Sequence, residues 1–110
     1  MEVKRGDIVL ASGPGDFSRK PRPFLVIQAD AFNVVHHSIS LCPVTSYLAG
    51  EGWIRISLAA NPETGLERES EAEIDKITTL RRERLVKTIG TAPETVMRRV
   101  DRALRRWLEL

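Results

Sequence analysis

The sequence predicts a mainly β fold with short helices and one C-terminal helix packed on the sheet. Three observations carry that prediction. Trp53-Ile54-Arg55-Ile56-Ser57-Leu58 alternates strictly, aliphatics on one side and Trp53, Arg55 and Ser57 on the other, the pattern of a half-buried strand. Phe24-Leu25-Val26-Ile27 is apolar without interruption and follows Pro23, which suits a strand covered on both faces. Val96, Val100, Ala103, Leu104 and Trp107 recur at helical spacing, widened by Met97 and Leu108, behind a Pro93 placed for a first helical turn. That stripe predicts packing, Trp107 included, while Arg98, Arg99, Arg102, Arg105 and Arg106 lie mostly off it.

A chain of 110 residues is enough for one modest domain, spanning 1–110, and hardly for two. With 42% apolar residues it can build a core, and 29% charged residues predict solubility. No apolar run approaches the length of a membrane span, and Met1-Glu2-Val3-Lys4-Arg5 lacks a signal-peptide core. A single cysteine, Cys42, cannot make an internal disulfide and fits the reducing cytoplasm; its apolar strand predicts a buried, inert thiol. The net charge is only +2, but Glu67 to Glu73 is acidic while Arg81 to Arg84 and Arg98 to Arg106 are rich in arginine. Such patches can steer a nucleic acid or an acidic protein, and they can equally be solvated faces.

In chain order, Glu2 to Ala11 reads as a first strand, Ile8 and Leu10 facing one way and Val9 and Ala11 the other, with a bend or bulge at Gly6-Asp7. Ser12 to Lys20 is a glycine-bearing loop, and Arg19-Lys20 suits a basic flap over a site. After the second strand, Asp30 is placed to cap a short helical turn at Ala31-Phe32-Asn33. His37 to Thr45 returns as a strand with Ile39 and Leu41 on one face; Pro43 marks an edge or bulge that can turn Thr45 off the core face. Tyr47 to Gly52 is a turn, and Asn61 to Gly65 is a loop leading into the acidic segment. Glu73 to Thr78 reads as a strand whose alternation slips near Lys76, and Leu85 to Gly90 as the last strand.

Arg22 is the residue with the most pointed setting. Pro21 and Pro23 flank it, each fixing its own φ and pushing the residue before it out of the helical region. A guanidinium held extended at the mouth of a strand can meet an anion, or it can simply pair with a neighbouring carboxylate. A metal site is not expected, because His36 and His37 are adjacent and Cys42 stands alone. Nothing resembles a nucleophile elbow or a phosphate-binding loop, so no cofactor is expected either. What remains at strand ends is Arg22, Thr45 with Ser46, and Asp75. An arginine, a hydroxyl and a carboxylate are the parts of metal-free RNA cleavage. The 2′-hydroxyl must lose a proton, the phosphate gathers charge, and the leaving 5′-oxygen must gain a proton. General acid–base work of this kind contributes about a hundredfold to ten-thousandfold.

Arg5-Gly6-Asp7-Ile8-Val9, Pro21-Arg22-Pro23, Ala31-Phe32-Asn33, Cys42-Pro43-Val44-Thr45-Ser46, Glu73-Ile74-Asp75-Lys76-Ile77-Thr78, Arg84-Leu85, Gly90 and Pro93-Glu94-Thr95-Val96-Met97 stand in an order and spacing that resemble the MazF/PemK/Kid toxin family, its PemK/Kid branch most. The resemblance covers nearly the whole chain. It implies a small SH3-like β-barrel with a C-terminal helix, assembled as a homodimer. It implies a sequence-specific, ribosome-independent and metal-independent endoribonuclease that cuts single-stranded RNA and halts translation. A cognate antitoxin with an acidic, largely disordered tail is the implied inhibitor. By position Arg22 matches the family's catalytic arginine, Thr45 its active-site threonine and Asp75 the acidic residue of the PemK/Kid branch, and the mechanism the resemblance implies has Asp75 accept the proton of the 2′-hydroxyl. Ser46 adjoins the threonine and would help position phosphate, and Arg19 and Lys20 would add positive charge. Trp53, Phe17 and Tyr47 are aromatic enough to stack unpaired bases. Two departures stand out: Glu73 where the branch often has a basic residue, and Thr78 in place of a second basic one. Other readings are a gyrase-poisoning toxin of the same fold, which acts through a terminal Trp that Trp107 would match, and a non-catalytic RNA- or protein-binding barrel.

Overall fold

The computed structural model describes residues 1–12 and 20–110. Among them lie strands β1 (Asp7–Ala11), β2 (Arg22–Val26), β3 (Ser38–Thr45), β4 (Arg55–Leu58), β5 (Ser70–Glu73), β6 (Thr78–Arg81) and β7 (Leu85–Thr91), with helices α1 (Asp30–Asn33) and α2 (Glu94–Leu108). All the strand pairs are antiparallel, in the order β4-β5-β3-β2-β1-β7, with β6 beside the first half of β3. The ladder does not close, so β4 and β7 are its ends. A loop bridges the gap instead: the Thr91 N–H donates to the Glu63 carbonyl at 2.8 Å. There Gly65, at φ +70°, and Gly90 let two backbones meet where a Cβ would collide with Ile89 or Thr64.

The β1–β2–β3 register explains the uninterrupted apolar runs. Ile8 lies opposite Leu25, and Leu25 opposite Cys42; all three are buried in a cluster with Ile56, Ala72 and, from α2, Val100 and Ala103. One residue along, Val9 pairs with Phe24, and that face holds Val26, Ile39, Leu41 and Leu80 in a second cluster. Each such aliphatic, fully buried, contributes about 1.5–3 kcal/mol. The mainly β fold with a C-terminal helix on the sheet is therefore as the sequence reading has it.

Several elements differ from that reading. The first strand begins at Asp7, because Gly6 adopts φ +95° and breaks the extended run. Asp30 does not cap α1: its carboxylate accepts the Arg5 N–H at 2.6 Å and the Asn33 Nδ2–H at 3.1 Å, while Ala29 occupies the cap position. The expected strand from Glu73 to Thr78 is two strands joined by a 3-10 turn at Ile74–Lys76. The chain must leave β5, which pairs with the end of β3, to reach β6, which pairs with its beginning, and the slip near Lys76 is that crossing. Pro43 falls at the same handover, between the β6 pairing that ends at Leu41 and the β5 pairing that begins at Val44, where that edge needs no N–H. Trp107 is 49% exposed, so its stripe position does not make it core.

Candidate active site

The sequence-predicted residues meet, in part, where β2 and β3 separate. Their paired residues run Val26↔Leu41, Leu25↔Cys42, Phe24↔Pro43. Two more steps of the same register would set Arg22 opposite Thr45, on one face of the sheet. The ladder stops at Phe24↔Pro43, while Arg22 stays paired with Ala11 of β1 and Thr45 with Glu71 of β5, each on the strand's far edge. The two strands thus splay, and a groove of about 780 Å³ opens at the fork.

Arg22, Thr45, Ser46 and Lys20 all line this groove. Arg22 is exposed, and among the described residues nothing pairs with its guanidinium. The flanking prolines hold its backbone extended, and among the described residues no carboxylate pairs with it. Thr45 is half-buried, and its Oγ1 accepts the Tyr47 N–H at 3.1 Å, which leaves its own O–H to donate. Arg68 and Lys87 also line the groove, giving four cations against the carboxylates of Glu67 and Glu73. The electrostatic balance favours an anion.

The other expected residues are elsewhere. Arg19, with Phe17, lies outside the described residues. Trp53 is 71% exposed and does not line the groove; the Arg106 guanidinium sits 5.2 Å from its ring centre. Asp75 is not among the lining residues either. Its two carboxylate oxygens accept hydrogen bonds from Arg55, Nε at 3.0 Å and Nη2 at 3.3 Å. That guanidinium holds the Asp75 carboxyl below the usual carboxylate range, and the carboxylate in turn raises Arg55. Arg55 Nη1 also reaches Glu73 Oε2 at 3.5 Å, and Lys76 Nζ reaches the same oxygen at 3.5 Å.

Three of these residues escaped the sequence reading. Arg55 was assigned outward to solvent by strand alternation, yet its side chain is only 12% exposed. Alternation sets the side of the sheet but not whether that side is covered. Glu71 stood in a run of charges that looked solvated, yet it is 4% exposed, with its two oxygens accepting the N–H groups of Ala49 at 2.9 Å and Gly50 at 3.0 Å. It therefore holds the β3–β4 loop, which carries Ser46, against β5. Glu73 registers in the sequence only as a departure from the family pattern, and it is the β5 carboxylate that lines the groove. Cys42 is buried and its thiol is pushed up to about 12 by desolvation, so it holds no thiolate for chemistry. Among the described residues no three His, Cys, Asp or Glu side chains group as a metal site requires.

The model of the PemK-like, MazF-like toxins of type II toxin–antitoxin systems matches residues 4–108. The chain belongs to this family. It is 40% identical over 102 residues to "Probable endoribonuclease MazF" of Mycolicibacterium smegmatis, covering 93% of each chain. It is 35% identical to "Endoribonuclease MazF6" of Mycobacterium tuberculosis, covering 100% of both. Among solved structures, a MazE–MazF crystal structure from Deinococcus radiodurans superposes with a TM-score of 0.83 at 25% identity, covering 100% of this chain and 99% of that one. A mycobacterial endoribonuclease in complex with its cognate antitoxin shares the fold, at TM-score 0.81 and 19% identity, over 98% and 96% of the two chains.

Proposed function

We propose that this toxin is an endoribonuclease that cuts single-stranded RNA at preferred sequences, without ribosome or metal ion, through the groove between β2 and β3. The observation that carries the reading is the Arg22 guanidinium, without a partner among the described residues, lining the same groove as the Thr45 hydroxyl. Curated relatives named as endoribonucleases, matched along nearly the whole chain, support it. Arg22 stabilises the phosphorane formed when the ribose 2′-oxygen attacks the adjacent phosphorus. Thr45 donates a hydrogen bond to a phosphate oxygen, and Ser46 and Lys20 hold the flanking backbone. The products are a 2′,3′-cyclic phosphate and a 5′-hydroxyl. A preorganised cation of this kind is worth about a hundredfold to thousandfold in rate.

The partners follow from the same surface. An acidic antitoxin segment would compete with RNA for the cations of the groove, as expected of a cytoplasmic toxin held inactive until needed. The assembly is a homodimer. Incubation of the purified protein with several long unstructured transcripts in the presence of a chelator tests the reading. Discrete fragments bearing 2′,3′-cyclic phosphate and 5′-hydroxyl ends are the expected result; transcripts that stay intact would overturn it.

A further inference from the structure

Three carboxylates follow one another on β5 and the turn after it: Glu71, Glu73 and Asp75. Two of them have both oxygens occupied. Glu71 is closed by the N–H groups of Ala49 and Gly50, and Asp75 by the fork of Arg55. Glu73 differs. Its ion pairs to Arg55 and to Lys76 are looser, each 3.5 Å to Oε2, and among the described residues neither of its carboxylate oxygens accepts a hydrogen bond. Its side chain is only 12% exposed, and it lines the groove that holds Arg22 and Thr45.

Strand register places it correctly for chemistry. Thr45 lies opposite Glu71 and Val44 opposite Ala72, so Glu71 and Glu73 project on the face that carries Thr45. Glu73 is then the diagonal neighbour of Thr45, at a separation of about 7–8 Å with the Cβ atoms somewhat closer. That gap suits a phosphate held by the hydroxyl and the ribose 2′-oxygen held by the carboxylate.

We infer that Glu73 is the general base of the cleavage and that Arg55, fixed by Asp75, is the positioning residue that holds it. This inference rests on the nuclease reading. Glu73 accepts the proton of the 2′-hydroxyl as the 2′-oxygen bonds to phosphorus. The bond from phosphorus to the 5′-oxygen breaks, and that oxygen takes a proton from water. The proton on Glu73 returns to solvent, so no net charge accumulates. The departure at position 73 thereby acquires a role: the charge order of the branch is changed, with the cation supplied from β4 by Arg55 and the groove-lining carboxylate from β5.

Single-turnover cleavage of an unstructured RNA by the full-length protein, followed from about pH 3.5 to 8 so that the ordinary carboxylate range is covered, tests this with Glu73→Gln, Glu73→Asp and Asp75→Asn. Folding is checked by thermal melting and RNA affinity by titration. Glu73→Gln is expected to lose at least a hundredfold in cleavage, to bind RNA as tightly as the parent or more so, and to lose the rise of rate with pH on the acid side. Glu73→Asp and Asp75→Asn keep that rise at a reduced rate; if the Gln variant fails to melt cooperatively, the Asp variant's profile decides. Unreduced cleavage by Glu73→Gln, or loss of the acid limb in Asp75→Asn alone, would overturn the assignment and leave the nuclease reading standing. A parent protein that cuts none of several transcripts would remove both.

Discussion

Two arginines bracket the site, and they are held in opposite ways. Arg22 stands exposed at the start of β2 with no partner among the described residues, while Arg55 of β4 is tied to Asp75 through two nitrogens and to Glu73 through the third. Both are strand-end cations beside the same groove region. A buried or half-buried guanidinium must be neutralised, because leaving it unpaired away from water is costly. An exposed one has no such need, so its lack of a partner leaves it open to a ligand. The contrast teaches that charge near a site divides into charge that holds the protein and charge that is offered to substrate.

The largest effect expected is on Arg22. Arg22→Ala should lower the cleavage rate about a hundredfold to thousandfold while changing stability by less than about 0.5 kcal/mol. Parallel single-turnover and chemical-denaturation measurements check both halves; a large loss of stability would break the comparison. Arg55→Ala should do the reverse first, costing about 3 kcal/mol of stability, since it strands Asp75 and one contact of Glu73 in a half-buried place. Urea midpoints at neutral pH measure that.

Acid sharpens the contrast further. The Arg55 pairing holds Asp75 below its ordinary value, so its stabilisation is fully present at neutral pH. It is lost as pH falls below about 4 and through the folded-state value. The stability gap between the parent and Asp75→Asn should therefore shrink as the solution is acidified through that window, as denaturation at stepped pH would reveal. The smallest effect belongs to a third arginine. Arg98 pairs with Glu94 at 3.0 Å on the exposed face of α2, with side chains 63% and 82% exposed. Glu94→Gln should cost under about 0.5 kcal/mol and leave cleavage unchanged, which thermal melting and the same RNA assay would register.

Much of the fold was legible because period and composition report it directly. The alternation in Arg55–Leu58, the doubly covered run from Phe24, and the stripe of α2 each describe which faces need burial, and burial is what the sheet and helix supply. Arg22 and Thr45 were legible for a different reason: flanking prolines and a strand end restrict the backbone locally, within a few residues. Asp75 and Trp53 were named from type and position, and folding placed them outside the groove lining, because a side chain's partner is not a local property. The Arg55–Asp75 bond joins residues 20 apart in sequence, and the link from Glu71 to the loop at Ala49 spans 22.

The chain alone determined the second and fourth strands, the C-terminal helix, the proline-held guanidinium and the family pattern, since each is written in neighbouring residues, whereas the break between β5 and β6 was not. Only the tertiary structure decided which of three closely spaced carboxylates lines the groove. Pairing of β5 with both β3 and β4 brings Arg55 and the backbone N–H groups of the β3–β4 loop to their partners. A carboxylate's chemistry is set by what reaches its two oxygens, and those groups arrive from other strands and loops.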